Sequence, residues 1–257
     1  MLRSLDLTGR VAVVIGGTSG LGRTIALGLA EAGADVAATG RRESLVEEVC
    51  EQIERAGRRS VAVPVDVLDR GSVDGLRERV LESLGKVDIL VNAAGRIARK
   101  ATIAVSDQEW RDTMNINTTG ALRACQSFYE PLAASGHGRV INIVSLNSFV
   151  ALKEVAAYAA SKAALMSLTR SLAVEWAPAK VNVNAIAPGV FRTELNRKLL
   201  DETERGRELL MRTPMKRFGC GEELVGAAVL LASDAASFIT GQCLVVDGGF
   251  LASGVNS

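Results

Sequence analysis

A tyrosine and a lysine four positions apart are the residues whose spacing most directly suggests chemistry. Tyr158 and Lys162 lie in an alanine-rich stretch that favours helix, so they are expected on one helical face. An ammonium group beside a phenol stabilises the phenolate, which predicts a lowered pKa for Tyr158. Such a tyrosine can exchange a proton with a substrate hydroxyl near neutral pH. Tyr-x-x-x-Lys also arises by chance on helices, so the rest of the chain has to support this interpretation.

A serine at the end of an apolar run strengthens the interpretation. Residues 140–144 read Val-Ile-Asn-Ile-Val, which predicts a buried strand, and Ser145 stands where this run stops. A strand end and a helix face could therefore bring Ser145, Tyr158 and Lys162 together.

A glycine-rich turn follows the first predicted strand, residues 11–15, and precedes a helical pattern closed by Gly33. Glycines admit a close approach of the backbone, and a helix N-terminus supplies N–H donors, so this arrangement predicts a phosphate cradle. Its spacing is Gly-x-x-x-Gly-x-Gly rather than Gly-x-Gly-x-x-Gly. A tight connection alone would also explain the glycines, but the position between strand and helix favours a nucleotide site. The expected cradle residues are Gly16, Thr18, Ser19, Gly20, Leu21 and Gly22.

The second predicted strand, residues 36–39, ends in Gly40-Arg41-Arg42. An acidic residue at this tip would bind the ribose hydroxyls of NAD, whereas an arginine suits the 2′-phosphate of NADP. We therefore expect NADP(H) as the preferred cofactor, with NAD(H) as the second option and Arg41 as the contact. Two solvated loop arginines would look the same in the sequence.

Strands alternating with helices predict the α/β class, as one Rossmann-type domain over residues 1–257 with helices on both faces of a seven-stranded parallel sheet. A chain of 257 residues, 48% of them hydrophobic, can bury one sizeable core. Ser106 to Glu109 reads as a capping box that opens a long helix through Asn117 to about Leu132. The seven strands are predicted at residues 11–15, 36–39, 61–65, 87–91, 140–144, 181–186 and 242–246.

Composition excludes several classes of partner. The net charge is +1, from 30 basic and 29 acidic residues, which gives no footprint for nucleic acid or an anionic membrane. The four cysteines are far apart and predict reduced thiols in a cytoplasmic protein. No apolar signal core or membrane span is found. The one histidine, His137, lies between two glycines, so no metal site is expected.

Together, these motifs resemble the short-chain dehydrogenase/reductase family over essentially the whole chain. Each piece is common, but their order and spacing are specific to that family. The matching pieces are the glycine turn, Asp66-Val67, Asn92-Ala93-Ala94-Gly95, Asn117, Ser145, Tyr158-x-x-x-Lys162, Pro188-Gly189 through Thr193, and Val246-Asp247-Gly248-Gly249.

The resemblance implies an NAD(P)-dependent oxidoreductase that interconverts a secondary alcohol and a ketone. It implies that Tyr158 is the general acid/base, and that Lys162 holds the nicotinamide ribose and lowers the pKa of the tyrosine. Ser145 would hydrogen-bond the reacting oxygen, and Asn117 would keep a water-linked proton path open. A homotetramer is implied, with the helices that bear Asn117 and Tyr158 packed between subunits, and a lid is implied at about 190–217. Besides the cradle and Arg41, the implied cofactor contacts are Asp66, Val67, Asn92, Gly95, Tyr158, Lys162, Gly189 and Thr193.

The substrate is implied by a finer resemblance, to the sugar-acid branch that includes gluconate 5-dehydrogenase and 2-deoxy-D-gluconate 3-dehydrogenase. Arg99, Asn147 and Arg192 are its candidate substrate contacts, and clustered positive charge would suit a carboxylate or phosphate. Ordinary solvated charge would explain the arginines equally well. Two alternatives stay open: a 3-oxoacyl-carrier-protein reductase and a catalytically silent nucleotide-binding protein. The silent alternative is expected to lack a member of the Ser–Tyr–Lys set, and this chain keeps all three.

Overall fold

One parallel sheet forms the centre of the fold in a computed structural model that describes residues 3–194 and 196–254. Within these residues the strand order is β2-β1-β3-β4-β5-β6, and every neighbouring pair is parallel. The strands are β1 Val11–Ile15, β2 Asp35–Thr39, β3 Ile89–Asn92, β4 Arg139–Ile143, β5 Asn182–Pro188 and β6 Cys243–Val246.

Helices cover both faces of this sheet, as predicted. Along β1, Ala12 and Val14 belong to one buried cluster, whereas Val11, Val13 and Ile15 belong to another. The first cluster is completed by α1, α2 and α9, and the second by α3, α5 and α6. The helices are α1 Gly20–Glu31, α2 Glu43–Arg55, α3 Arg70–Leu84, α4 Asp107–Met114, α5 Gly120–Ala134, α6 Ala156–Trp176, α7 Arg197–Glu202, α8 Glu204–Arg212 and α9 Val225–Ala232.

The predicted count of seven strands is wrong, because residues 61–65 run beside β2 without forming a strand. Pro64 has no N–H to donate to a neighbouring strand. The side-chain hydroxyl of Thr39, not a backbone donor, reaches the carbonyl of Val63. The segment therefore lies against the edge of the sheet without a regular ladder, and the described sheet has six strands.

The long helix predicted from the capping box is present but interrupted. Ser106 Oγ accepts the N–H of Glu109 at 3.2 Å, and the Glu109 carboxylate accepts the N–H of Ser106 at 2.8 Å. Between α4 and α5, residues Asn115–Thr119 form one π-helical turn. Such wide turns are common at functional sites, and this one contains Asn117.

The carboxyl ends of the strands meet at one edge of the sheet. Ile15 at the end of β1 pairs with Thr39 on one side and with Asn92 on the other. Asn92 in turn pairs with Asn142. The segments leaving β1 to β4 therefore emerge together, which is where parallel α/β sheets bind ligands. None of the described helices is long and apolar enough to cross a membrane.

Candidate active site

The turn after β1 has the geometry of a phosphate cradle. Gly16 has a φ of +85°, and a Cβ there would lie 2.5 Å from the backbone N of Ala94. A Cβ at Gly22 would lie 2.1 Å from the carbonyl O of Gly16. Helix α1 begins at Gly20, and the side chain of Ser19 makes no capping hydrogen bond. The N–H groups of the first turn can therefore face an anion, and the cradle fits a dinucleotide pyrophosphate.

The tip of β2 presents an arginine and no carboxylate. Gly40 follows β2 and lies so close to Thr18 that a Cβ would sit 2.7 Å from its Oγ1. Leu21 packs against the core below the turn. Arg41 is exposed and has no ion-pair or hydrogen-bond partner in the part of the chain that the structure describes. A guanidinium without a partner suits a 2′-phosphate at this place.

Asp66 and Val67 lie just beyond the tip of β2. The N–H of Val65 donates to the carbonyl O of Gly40 at 3.0 Å, which fixes this connection. The Asp66 carboxylate accepts the N–H of Leu68 at 3.0 Å, and Val67 is buried. This placement is compatible with the predicted contact of the pair with a cofactor.

Three side chains of the predicted catalytic set come together at the carboxyl end of β4. Lys162 is 3% exposed, and its Nζ donates to the carbonyl O of Ile143, the last residue of β4, at 2.7 Å. The same Nζ lies 5.8 Å from the centre of the Tyr158 ring. Ser145, two residues beyond β4, forms a hydrogen bond with the Tyr158 side chain. The strand end and the helix face therefore meet as the spacing predicts.

The electrostatics of this group differ from the prediction. Burial raises the pKa of Tyr158, and the hydrogen bond with Ser145 opposes that rise only in part. Burial also lowers the pKa of Lys162 from 10.5 to about 8. Lys162 is itself buried away from water, and its Nζ donates to a neutral carbonyl. Its positive charge therefore does not offset the free-energy cost of a buried Tyr158 phenolate. The predicted lowering of the Tyr158 pKa is wrong in this structure.

Asn117 holds two elements of the site together. It is fully buried, and its Oδ1 accepts the N–H of Arg96 at 2.7 Å. Its Nδ2 donates to the carbonyl O of Arg96 and to Ser161 Oγ, both at 2.9 Å. Both amide hydrogens are therefore used within the protein. The side chain ties the loop after β3 to α6, which makes Asn117 a positioning residue in this geometry.

Asn92 and Gly95 lie on the loop after β3. Asn92 is buried, and its Nδ2 donates to Asn142 Oδ1 at 2.8 Å, which joins β3 to β4. A Cβ at Gly95 would lie 3.4 Å from Lys162 Nζ and 3.5 Å from Asn117 Oδ1. Gly95 therefore lies next to Lys162 of the catalytic group, whereas Asn92 joins the two strands that lead to this group.

The loop after β5 packs against the end of β6. The N–H of Gly189 donates to the carbonyl O of Val246 at 2.8 Å, and a Cβ at Gly189 would lie 2.5 Å from Asp247 Cα. The N–H of Thr193 donates to Asn196 Oδ1 at 2.8 Å, where the segment turns into α7. The predicted lid region contains α7 and α8, and Leu195 within it lies outside the described residues.

The three candidate substrate residues have different surroundings. Asn147 is 9% exposed, its N–H donates to Ser145 Oγ at 3.2 Å, and its Nδ2 has no partner among the described residues. Arg99 is exposed and likewise has no described partner. Arg192 forms an ion pair with Asp201 on α7.

Two cavities are lined in part by residues of the predicted lid region. One, of about 380 Å³, is lined by Arg192, Thr193 and Cys220 among others. The second, of about 200 Å³, is bordered by Thr213 and Asp247. In residues 3–194 and 196–254 no group of three or more His, Cys, Asp or Glu side chains could hold a metal ion.

Two residues near the site escaped the sequence reasoning. Ser161 accepts a hydrogen bond from Asn117, and its Oγ donates to the carbonyl O of Tyr158 at 2.7 Å. Its spacing of three from Tyr158 could have revealed it as a neighbour on the same helix. Arg205 reaches from the lid to the loop before α6. No sequence signal distinguishes it from the other lid arginines.

Comparisons with known proteins agree with this geometry. Residues 15–251 match a family model described as enoyl-(acyl carrier protein) reductase. The chain is 40% identical over 253 residues to 2-dehydro-3-deoxy-D-gluconate 5-dehydrogenase of Dickeya dadantii (strain 3937), covering 98% of this chain and 99% of that protein. It is 37% identical to the NAD-dependent glycerol dehydrogenase of Listeria innocua serovar 6a, with 96% of each covered. A gluconate 5-dehydrogenase from Burkholderia cenocepacia J2315, crystallised in complex with NADP and tartrate, aligns with a TM-score of 0.93 and 37% identity over 98% of both chains.

A Rossmann-type oxidoreductase is the class that this sheet and this group of side chains define. Within that class, matches over nearly the full length show that the chain belongs to the short-chain dehydrogenase/reductase family. The resemblance inferred from the sequence motifs is thereby confirmed.

Proposed function

We propose that this protein is an NADP(H)-dependent oxidoreductase that interconverts a secondary alcohol and a ketone on a sugar acid. The observation that carries the reaction type is the meeting of Ser145, Tyr158 and Lys162 beside the glycine cradle. The names of the gluconate-related relatives support the substrate class.

The chain's own residues account for binding and proton transfer. The nicotinamide, when bound, supplies or accepts the hydride. Tyr158 gives a proton to the ketone oxygen, or takes one from the alcohol, and Ser145 holds that oxygen by a hydrogen bond. Lys162, anchored on the carbonyl of Ile143, is placed to hold the nicotinamide ribose. Asn117 keeps Gly95 and α6 at a fixed separation, so donor and acceptor stay aligned.

The cofactor preference rests on Arg41. Its guanidinium has no described partner, and no carboxylate stands at the tip of β2 to receive ribose hydroxyls. NADP(H) is therefore the preferred cofactor, and NAD(H) is the second option. A relative named as NAD-dependent supports keeping both in the test.

Two buried polar groups favour a polyhydroxy substrate over an acyl thioester. Asn147 Nδ2 and Ser148 Oγ are buried without a partner among the described residues, and both follow Ser145 closely in the chain. A buried donor left unpaired costs about 1–3 kcal/mol, so a polar ligand that pairs with these groups is favoured. Sugar hydroxyls satisfy them, whereas the acyl chain of a 3-oxoacyl thioester does not. The reductase alternative is therefore disfavoured.

Arg192 fits the substrate role less well than the sequence suggests. It is half-exposed, and its Nε and terminal nitrogen both engage the carboxylate of Asp201. A substrate carboxylate would have to displace that acid. Arg99 has no such competitor and remains the better candidate.

We also propose a single domain over residues 1–257, with a lid at about 190–217, assembled as a homotetramer in the cytoplasm. Exposed apolar side chains support self-association, among them Val174 on α6, which is 79% exposed. The four free cysteines are compatible with a reducing compartment. Gel filtration with light scattering tests the assembly.

The experiment that tests the function is a substrate screen of the purified protein. Aldonates, ketoaldonates, polyols and 3-oxoacyl thioesters are each assayed with NADP(H) and NAD(H) by absorbance. Sugar acids with NADP(H) should give the highest kcat/KM. Fastest turnover of an acyl thioester would contradict the substrate class, and no turnover of any substrate would favour the silent alternative.

A further inference from the structure

Arg205 of the lid region contacts the loop that precedes the helix of Tyr158. Arg205, in the first turn of α8, has a side chain that is only 23% exposed. Its terminal nitrogens donate to the carbonyl O of Lys153 at 2.7 Å and lie 3.4 Å from the Glu154 carboxylate. Lys153 and Glu154 stand just before α6, which carries Tyr158. The side chain of Arg205 therefore packs against the loop that leads into the helix of Tyr158.

The loop after β3 meets the same point from the other side. The N–H of Lys100 donates to the carbonyl O of Glu154 at 2.8 Å, so the preceding residue, Arg99, lies near the loop that contains Glu154. Partial burial, and then the positive charge of Arg205, lower the pKa of Arg99. Arg99 has no carboxylate partner among the described residues. The two guanidiniums are thus neighbours of like charge.

Around Arg205, positive side chains outnumber negative ones. Arg99, Lys153 and Arg205 are three cations, and among the described residues Glu154 is the acid that pairs with Arg205, while Lys100 is already paired with Glu109 at 2.9 Å. Glu154 also has a φ of +68°, which is strained for a residue with a side chain. Backbone strain of this kind is concentrated at ligand sites. An anion between the two arginines would relieve the repulsion.

We propose that Arg99 and Arg205 together bind the carboxylate of the substrate, with Arg205 contributed by the lid. This inference rests on the proposed function, because it assumes an acidic sugar. Arg205 has five N–H donors, and its described contacts use few of them, so a carboxylate can be added without losing the tether. Arg205 takes the place that sequence reasoning gave to Arg192.

The test compares charged and uncharged substrates in Arg99→Ala, Arg205→Ala and Arg205→Lys. The acid is whichever of D-gluconate, 5-keto-D-gluconate and 2-dehydro-3-deoxy-D-gluconate the wild type uses best. The neutral counterparts, in which CH2OH replaces the carboxylate, are D-glucitol, L-sorbose and 3-deoxy-D-fructose, respectively. Each alanine variant should lower kcat/KM for the acid by about ten- to a hundred-fold, mainly through KM, with little change for the neutral compound. Arg205→Lys should recover part of the loss, because it keeps the charge.

Arg207→Ala is the matched control, since Arg207 is exposed on the same helix and has no described partner. It should leave both activities unchanged, and circular dichroism should show that all variants fold. Equal losses for acid and neutral substrates in Arg205→Ala would overturn the inference and make Arg205 a structural tether. A wild type that turns over no sugar acid would instead overturn the proposed function, before any variant is compared.

Discussion

The proton chemistry of this site depends on the burial of one hydroxyl. Burial raises the pKa of Tyr158, so at neutral pH the phenol keeps its proton and is ready to protonate a ketone oxygen. Alcohol oxidation needs the deprotonated form. The kcat/KM for oxidation should therefore rise from neutral to alkaline pH, while reduction should be favoured at lower pH. Profiles in both directions check this, and an oxidation rate that falls from pH 6 to pH 8 would contradict it.

The hydrogen bond with Ser145 sets part of that pKa. It lowers the pKa of Tyr158, so Ser145→Ala should move the rising limb of the oxidation profile to higher pH as well as slow turnover. Ser171→Ala, in which an exposed hydroxyl of α6 is removed, is the control and should leave the profile in place. If the rising limb of the oxidation profile does not shift in Ser145→Ala, this hydrogen bond does not set the pKa of Tyr158.

Arg41 is predicted to discriminate between the two nucleotides. Arg41→Ala removes a charge-assisted partner of the 2′-phosphate, so NADP(H) should bind about ten- to a hundred-fold more weakly while NAD(H) is little affected. Titration of both nucleotides measures this, with Arg55→Ala, an exposed arginine of α2, as control. Equal losses for the two nucleotides would remove Arg41 from the phosphate site.

Among the elements, the glycine turn allows the sharpest comparison. Gly22→Ala would place a Cβ 2.1 Å from the carbonyl O of Gly16, so the turn must deform and nucleotide binding should fall by more than tenfold. Gly75→Ala in α3 meets no atom within 4 Å and should be neutral or slightly stabilising. Nucleotide titration and thermal melts of both variants test this. Unchanged binding by Gly22→Ala would mean that the turn is only a connection.

The elements that the sequence predicts correctly are those with local signals. Apolar runs identify six strands, and Ser106 with Glu109 identifies the start of α4. The apolar run at 61–65 resembles the other strand-forming runs. Whether such a run becomes a strand depends on backbone pairing with a neighbouring strand, and Pro64 interrupts that pairing. The π-helical turn around Asn117 also has no local signal, because it depends on contacts with α6.

In the candidate site too, residues with a local sequence signal are predictable and residues without one are not. Ser145, Tyr158 and Lys162 are recognisable because each occupies a fixed place relative to a strand end or a helix face. The partners of lid arginines are not recognisable, since they depend on how the lid folds back. Arg192 is thus held by Asp201, and Arg205 reaches Lys153.

For the whole molecule, Lys162 links activity to stability. Its pKa falls from 10.5 to about 8 on folding, so the unfolded chain binds more protons between these values and stability rises with pH there. The gain is about 3 kcal/mol in total. Lys162→Met has no buried charge and should lack this rise while losing activity. The difference in unfolding free energy between wild type and variant, measured by denaturant at pH 7.5 to 10.5, should change by that amount, and a constant difference would contradict it.

The central claim is that Tyr158 transfers the proton in a reaction that depends on a bound nicotinamide nucleotide. The most direct measurement is the turnover of Tyr158→Phe on the best sugar acid, together with NADP(H) titration of the same preparation. Turnover should fall by about 10²–10⁴-fold, since the hydroxyl alone is removed, and nucleotide affinity should stay close to that of the wild type. A variant that binds NADP(H) normally and keeps near wild-type turnover would contradict the account.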